Sequence, residues 1–367
     1  MAPRTEARWD GPLDELPSTA RKLLGARAYR RLWSTYRWLS HEKVQRGSVP
    51  LTERFEMWSR GFYAESADLY AFARNDPADY LSDLDGIRAS GRCNAWEGIF
   101  EHRMGLRAFL LARGFAQPHT AAFVFEGRIL AEPFGGDGTY VEPDVMEARL
   151  RVHGEDAVWL LKVEDRSGPG SIDFRDNRQH ETFGMGRLKD PTIIEARLEQ
   201  SDFARSLYPG STNSLRFLTL WPRGRPAPFV ARAVQRIGTA TTGRADDWAR
   251  GAISAPIDLQ TGRLGLGRVR PLDEPAPKDG LIHHPDSGAR IAGATMPGWN
   301  ELLDTVIRAA SSVPFNRVAA WDVVSTSSEG PVILAASGRS DLSVLQVHGG
   351  LLTDPDIRGF YESVSER

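Results

Sequence analysis

The chain has 367 residues, 41% of them apolar, enough to bury a core spanning two or three subdomains. A formal charge of −2 and a pI near 6.5 exclude the basic excess that nucleic acid or an anionic membrane surface selects. The opening stretch MAPRTEARWDGPLDELP has no apolar signal core, no run approaches the ~20 apolar residues of a membrane span, and the one cysteine, Cys93, excludes an internal disulfide; the expected location is the reducing cytoplasm.

From about Ser18 to Asp85 the spacing predicts helix. STARKLLGARAYRRLWSTYRWL places Leu24, Ala28, Leu32 and Tyr36 four apart on one face, with Ser18 as N-cap and the arginines on a solvated face. Cys93 lies in GRCNAW without a nearby histidine and reads as a structural thiol. The middle region, Gly98 to Leu198, alternates helix and strand. It has a helix through HRMGLRAFLLARG, strands at AAFVFEGRI and DAVWLLKVE, and a helix or strand at TIIEARLEQ. From Ser211 onward LRFLTLW, PFVARAVQRIG, VAAWDVVS and PVILAAS read as strands, with one helix at WNELLDTVIRAASSV. WDVVSTSSEGPVILAAS is then a hairpin whose only acid on the strands is Asp322. There is no internal repeat, and the expected class is α+β with mostly antiparallel sheets.

Lysine is used only at Lys22, Lys43, Lys162, Lys189 and Lys278; arginine carries the rest of the positive charge. A lysine inside AVWLLKV therefore needs a reason. VEDRSGPGSIDF follows it, and a strand lysine before a Ser/Gly-rich turn can neutralise a polyphosphate while glycines let backbone N–H groups approach. It is not the G-x-x-x-x-G-K-[ST] loop, and SGPGS alone also reads as a hairpin turn. Glu195, Glu199 and Asp202 surround Ile194 and Leu198, a pattern shared by an adenine slot and by a helix edge with solvated acids. Arg216 and Arg236 lie on apolar strands, where a guanidinium needs a buried carboxylate or phosphate. His283 and His284 in HHPDSGA have no third ligand at metal spacing and read as a loop.

The order of these parts resembles the ATP-grasp fold. RGFYAESADLY with DYLSD, PGSTNSLRFLTL, RIG with DDW, APIDLQTGRL, HHPDSGARIAG with MPGW, and AAWDVV with GPV and VLQ are similar to the sugar-transfer-associated ATP-grasp family, related to α-L-glutamate ligases, from about Arg60 to Asp354. The resemblance implies two α+β subdomains gripping ATP behind a helical N-terminal extension: residues 1–95 helical, 96–200 the nucleotide-lid subdomain, 201–367 the C-terminal subdomain. It places Lys162 on the nucleotide phosphates, Ser167, Gly168 and Gly170 in the loop closing over them, and Glu195, Ala196 and Leu198 in the adenine-binding linker. Asp202 falls at a ribose-binding position, and Arg216 and Arg236 face the transferred phosphate or substrate carboxylate. Asp322 matches the first metal-binding acid, with Mg²⁺ or Mn²⁺ as the ion.

Three departures accompany the match. Arg103 stands where the family's first nucleotide lysine is expected. Asp246-Asp247 and Gly251-Ala252 replace Asp-Asn before a glycine pair. Ala335-Ala336-Ser337 replaces the family's Glu-x-Asn, so the second metal-ligand set is missing where residues i and i+2 share a strand face. The implied activity is a carboxylate–amine or carboxylate–alcohol ligase acting on small molecules through an acyl phosphate, in surface-polysaccharide or related biosynthesis. A non-catalytic nucleotide or partner binder, and a sugar or polyol kinase, use the same grip.

Overall fold

A computed structural model of the chain describes residues 49–136, 138–163, 172–179, 183–270, 280–338 and 341–365, together with residues 28, 32–36, 38, 39 and 42. Ala28, Leu32 and Tyr36 are helical as their spacing predicts, whereas Ser18 and Leu24 lie outside the described residues.

The longer helices ahead of the first sheet include α1 (Leu51–Ser59), α2 (Asp83–Cys93) and α3 (Arg103–Ala112). Ser82 starts α2 by accepting the Asp85 backbone N–H at 3.1 Å and donating its hydroxyl to the Asp85 carboxylate at 2.8 Å. On α3 the buried positions are Leu106, Arg107 and Leu110, so an arginine shares the helix's core face.

The first sheet follows, with β1 (Thr120–Phe125), β2 (Arg128–Ala131), β3 (Tyr140–Val141), β4 (Val158–Val163), β5 (Ile172–Asp176) and β6 (Thr192–Ala196). Helix α4 (Pro143–Val152) lies between β3 and β4. The strand order is β3-β2-β1-β6-β4-β5, with every pairing antiparallel. One face packs Trp159, Leu161 and Ile194 against Met146 and Leu150 of α4. TIIEA, open to helix or strand on sequence alone, is a strand. Two β-branched isoleucines and Thr192 fit a central position between β1 and β4, where both faces are covered.

Helix α5 (Asp202–Leu207) leads to the second sheet: β7 (Leu215–Leu220), β8 (Phe229–Ile237), β9 (Ile253–Pro256), β10 (Arg268–Val269), β11 (Val318–Ser325) and β12 (Pro331–Ser337). Its order is β10-β9-β8-β7-β11-β12, again antiparallel throughout. Helix α6 (Trp299–Ser311) buries Trp299, Leu302, Val306 and Ala309 against one face, where Phe217, Trp321 and Ile333 point. The other face carries Leu218, Val234 and Val318 and is covered by α2, by residues around Leu345 and by the last helix, α7 (Pro355–Ser365).

The segment between β6 and α5 joins the sheets. Arg197 N donates to Val158 O of β4 at 2.9 Å, and Ser201 N donates to Ser325 O of β11 at 2.7 Å. The C-terminal part is tied back to the N-terminal part through Gln346, which accepts Leu81 N at 2.8 Å and donates to Leu81 O at 3.0 Å. Nearby, Gly350 sits so close to Asp79 that an added Cβ would overlap the Asp79 carbonyl. Gly350→Ala is expected to cost about 1–3 kcal/mol by overpacking, read as a lower denaturation midpoint with unchanged m. An unchanged midpoint would show that this contact is dispensable.

Candidate functional site

Two charged clusters form, one on each sheet. On the first, register sets Leu160 opposite Glu195 and Lys162 opposite Ile193, so Lys162 and Glu195 are diagonal neighbours on the face away from α4. Thr120 flanks Glu195 on the other side, from β1. Leu106 and Leu110 draw α3 into the core and carry Arg107 with them. Arg107 donates to Glu195 Oε2 at 2.6 Å and to Thr120 Oγ1 at 2.5 Å, while Lys162 Nζ pairs with Glu195 Oε1. The three charged side chains are at most 6% exposed.

Burial by itself would raise the Glu195 carboxyl, but Lys162 and Arg107 outweigh it and hold the group at about 2. Burial pulls the Lys162 ammonium below its usual range, against the attraction of Glu195. Two cations share one carboxylate here, leaving one positive charge uncompensated within the cluster. Arg103, one turn before Arg107, donates to Val163 O at the end of β4 at 3.3 Å and adds to the positive field on Lys162.

On the second sheet Arg216 of β7 lies opposite Asp322 of β11 and grips it with two parallel hydrogen bonds, Nε to Oδ1 at 2.8 Å and Nη2 to Oδ2 at 2.9 Å. Arg236 of β8 adds an ion pair to Oδ2 at 3.2 Å. Arg236 also donates to Ser214 Oγ, which donates in turn to Asp246 Oδ2 at 2.5 Å. A β-bulge follows Asp322 in the pairing with β12, the usual device for re-aiming a strand side chain. Burial opposes the Asp322 charge, yet the two arginines hold its carboxyl well below the ordinary carboxylate range. The strand arginines thus have the buried carboxylate that their type and position called for, and it is the acid expected to bind metal.

That pairing decides the fit of magnesium. Both oxygens of Asp322 are engaged by guanidiniums, its neighbour on β12 is Ala335, and Ser337 lies opposite Ala320. Among the described residues no group of three His, Cys, Asp or Glu could hold a metal. The residues around Asp322 do not fit an ion held by protein carboxylates.

The remaining expected residues are dispersed. Ala196 ends β6, and Leu198 lies half-buried in the segment between the sheets. Asp202 is 95% exposed and pairs with Arg205 at 2.6 Å. Ser167, Gly168 and Gly170 lie outside the described residues. Glu195, expected in the linker, is instead a strand residue whose side chain turns inward to Lys162. Arg107 escaped the sequence reading, although HRMGLRAF places it four residues after Arg103 between two core leucines. Ser214 escaped as well, because nothing local marks a hydroxyl that bridges Arg236 and Asp246. His284 is buried and structural: its Nδ1 accepts the backbone N–H groups of Asp286 and Ser287, so Nε2 donates to Gly238 O at 2.8 Å. Burial raises the Cys93 thiol, in keeping with an unreactive side chain.

No curated protein matches the chain. N5-carboxyaminoimidazole synthase from Aspergillus clavatus, solved with ADP, aligns with 68% of this chain and 48% of its own, at 9% identity and a TM-score of 0.39. ATP-grasp ligase PsnB, complexed with minimal precursor, aligns with 74% of this chain and 62% of its own, at 12% identity and a TM-score of 0.41. Biotin carboxylase from Campylobacter jejuni aligns with 79% of this chain and 49% of its own, at 9% identity and a TM-score of 0.41. The chain matches about half the length of the synthase and of the carboxylase. The family described as sugar-transfer associated ATP-grasp matches residues 178–355, which span β6 to β12 and contain both strand arginines and Asp322. Over residues 178–355, just under half of the chain, the sequence is similar to that family.

Proposed function

We propose that the protein binds ATP at the junction of its two sheets and uses it to activate a small-molecule carboxylate for ligation to an amine or alcohol. The observation that carries this reading is the buried Lys162–Glu195–Arg107 cluster, which sets two cations on one carboxylate near the end of β4. Lys162 and Arg103 would draw the phosphates there, with Ser167, Gly168 and Gly170 closing over them and Ala196 and Leu198 bordering the base. Asp202, at the start of α5, would serve the ribose.

In the reaction a carboxylate oxygen attacks the terminal phosphorus of ATP and ADP leaves, giving an acyl phosphate. The amine or alcohol then attacks the acyl carbon, inorganic phosphate leaves, and the nucleophile's proton is released. Arg216 and Arg236 would stabilise the anions formed, by exchanging part of their hold on Asp322 for the substrate. The second sheet also favours another reading, a binder without turnover, because Asp322 is already committed to those arginines.

ADP release measured over pooled carboxylates and amines separates the two. A ligase gives ADP and phosphate only when both substrates are present; a binder shows ATP affinity and no ADP. Lys162→Ala is expected to weaken ATP binding by about 2–3 kcal/mol, roughly 30- to 150-fold, through loss of a charge-assisted contact. Calorimetric titration checks it, and unchanged affinity in a folded variant would remove Lys162 from the phosphate site.

A further inference from the structure

A cleft of about 890 Å³ opens between α2, α7, the turn after β7 and the start of β11, with Trp33 and Ser34 also lining it, and shares no lining residue with either charged cluster. Among the described residues five arginines line it, Arg88 and Arg92 on α2, Arg223 and Arg225 on the turn, and Arg317, against two carboxylates, Glu97 and Asp356.

The arginines differ in how they are held. Arg92 donates to Val364 O at 2.9 Å, and Arg317 donates to Trp221 O at 2.7 Å while lying over the Phe360 ring. These two are fixed in place by the protein. Arg225 meets Asp356 at a loose 3.6 Å on the exposed rim. Arg223 has no ion pair or hydrogen bond among the described residues, while Arg88 pairs with Asp85 at 3.5 Å and keeps a buried Nε without a hydrogen-bond partner there.

The floor of the cleft is also kept open. Gly91 of α2 and Gly359 of α7 line it, and a Cβ on either would meet nothing within 4 Å. Neither has the left-handed backbone that requires glycine, and each costs its helix about 1 kcal/mol relative to alanine. Two helical glycines over empty space leave room for a ligand rather than for a packing partner. The volume suits an organic small molecule and exceeds what an inorganic phosphate fills.

We propose that this cleft binds a phosphorylated small molecule, at a site separate from the Lys162 cluster. Arginines from α2, the β7–β8 turn and the residue before β11 line it, and phosphoryl oxygens match that donor set by charge.

The test titrates the full chain with ribose 5-phosphate and with inorganic pyrophosphate, by calorimetry at physiological ionic strength, with ribose as the uncharged control. Saturable binding of ribose 5-phosphate or pyrophosphate, and none of ribose, is expected. The double substitution Arg223→Ser with Arg225→Ser should weaken it about tenfold or more, and Lys162→Ala should leave it unchanged. Arg88→Gln should act in the same direction, and serves if the double variant fails to fold. The proposal is overturned if neither phosphate binds saturably, if the arginine substitutions leave the affinity as it was, or if Lys162→Ala abolishes the binding.

Discussion

Glu195→Gln is expected to destabilise the fold by about 3–5 kcal/mol, the usual result of removing one member of a buried ion cluster. The loss does not equal the worth of a contact. It arises because Lys162 and Arg107, almost fully buried, are left with a neutral amide between two charges. Lys162→Met should cost less, since Glu195 then keeps Arg107 at 2.6 Å as its partner. Urea midpoints of the two variants give the comparison, and equal losses would mean that the cluster is not organised around the carboxylate.

Acid has the same effect as the substitution. The Glu195 carboxyl is held at about 2 in the folded chain, below its value of 4.5 when unfolded. Its stabilising contribution is therefore complete above the unfolded value and is lost as pH falls through the window from 4.5 toward 2. Asp322, also depressed by its arginines, shifts stability in the same direction. Glu195→Gln should flatten the wild-type loss of stability across that window.

Asp322→Asn is expected to cost about 2–4 kcal/mol, somewhat less than the fully buried case because its side chain keeps 16% exposure. Arg216 would lose a bidentate partner and Arg236 an ion pair, although Arg236 keeps its hydrogen bond to Ser214. The variant also distinguishes a structural acid from a metal ligand. The observed pairing predicts that ATP affinity changes by the same factor with and without Mg²⁺. A loss confined to the Mg²⁺ titration would instead show that Asp322 leaves its arginines to bind metal.

Local sequence determined much of this protein. Alternation and β-branching placed LRFLTLW, PFVARAVQRIG, VAAWDVVS and PVILAAS as strands, and the 3.6-residue repeat placed WNELLDTVIRAASSV as a helix. Residue chemistry alone marked Lys162, Arg216, Arg236 and Asp322, because a charge inside an apolar strand must have a partner. Tertiary structure decided which partner. Sequence offered Glu195 as part of a linker; strand register turned it onto the face of Lys162, and helix packing brought Arg107, 88 residues away, against it. Sequence left Arg216 and Arg236 a choice between carboxylate and phosphate; antiparallel pairing of β7 with β11 set Asp322 opposite Arg216, with Arg236 two residues along the same face of β8. Periodicity is a property of neighbours along the chain, so it can be read there. Charge pairing is a property of neighbours across strands, so it exists only once register and packing are fixed.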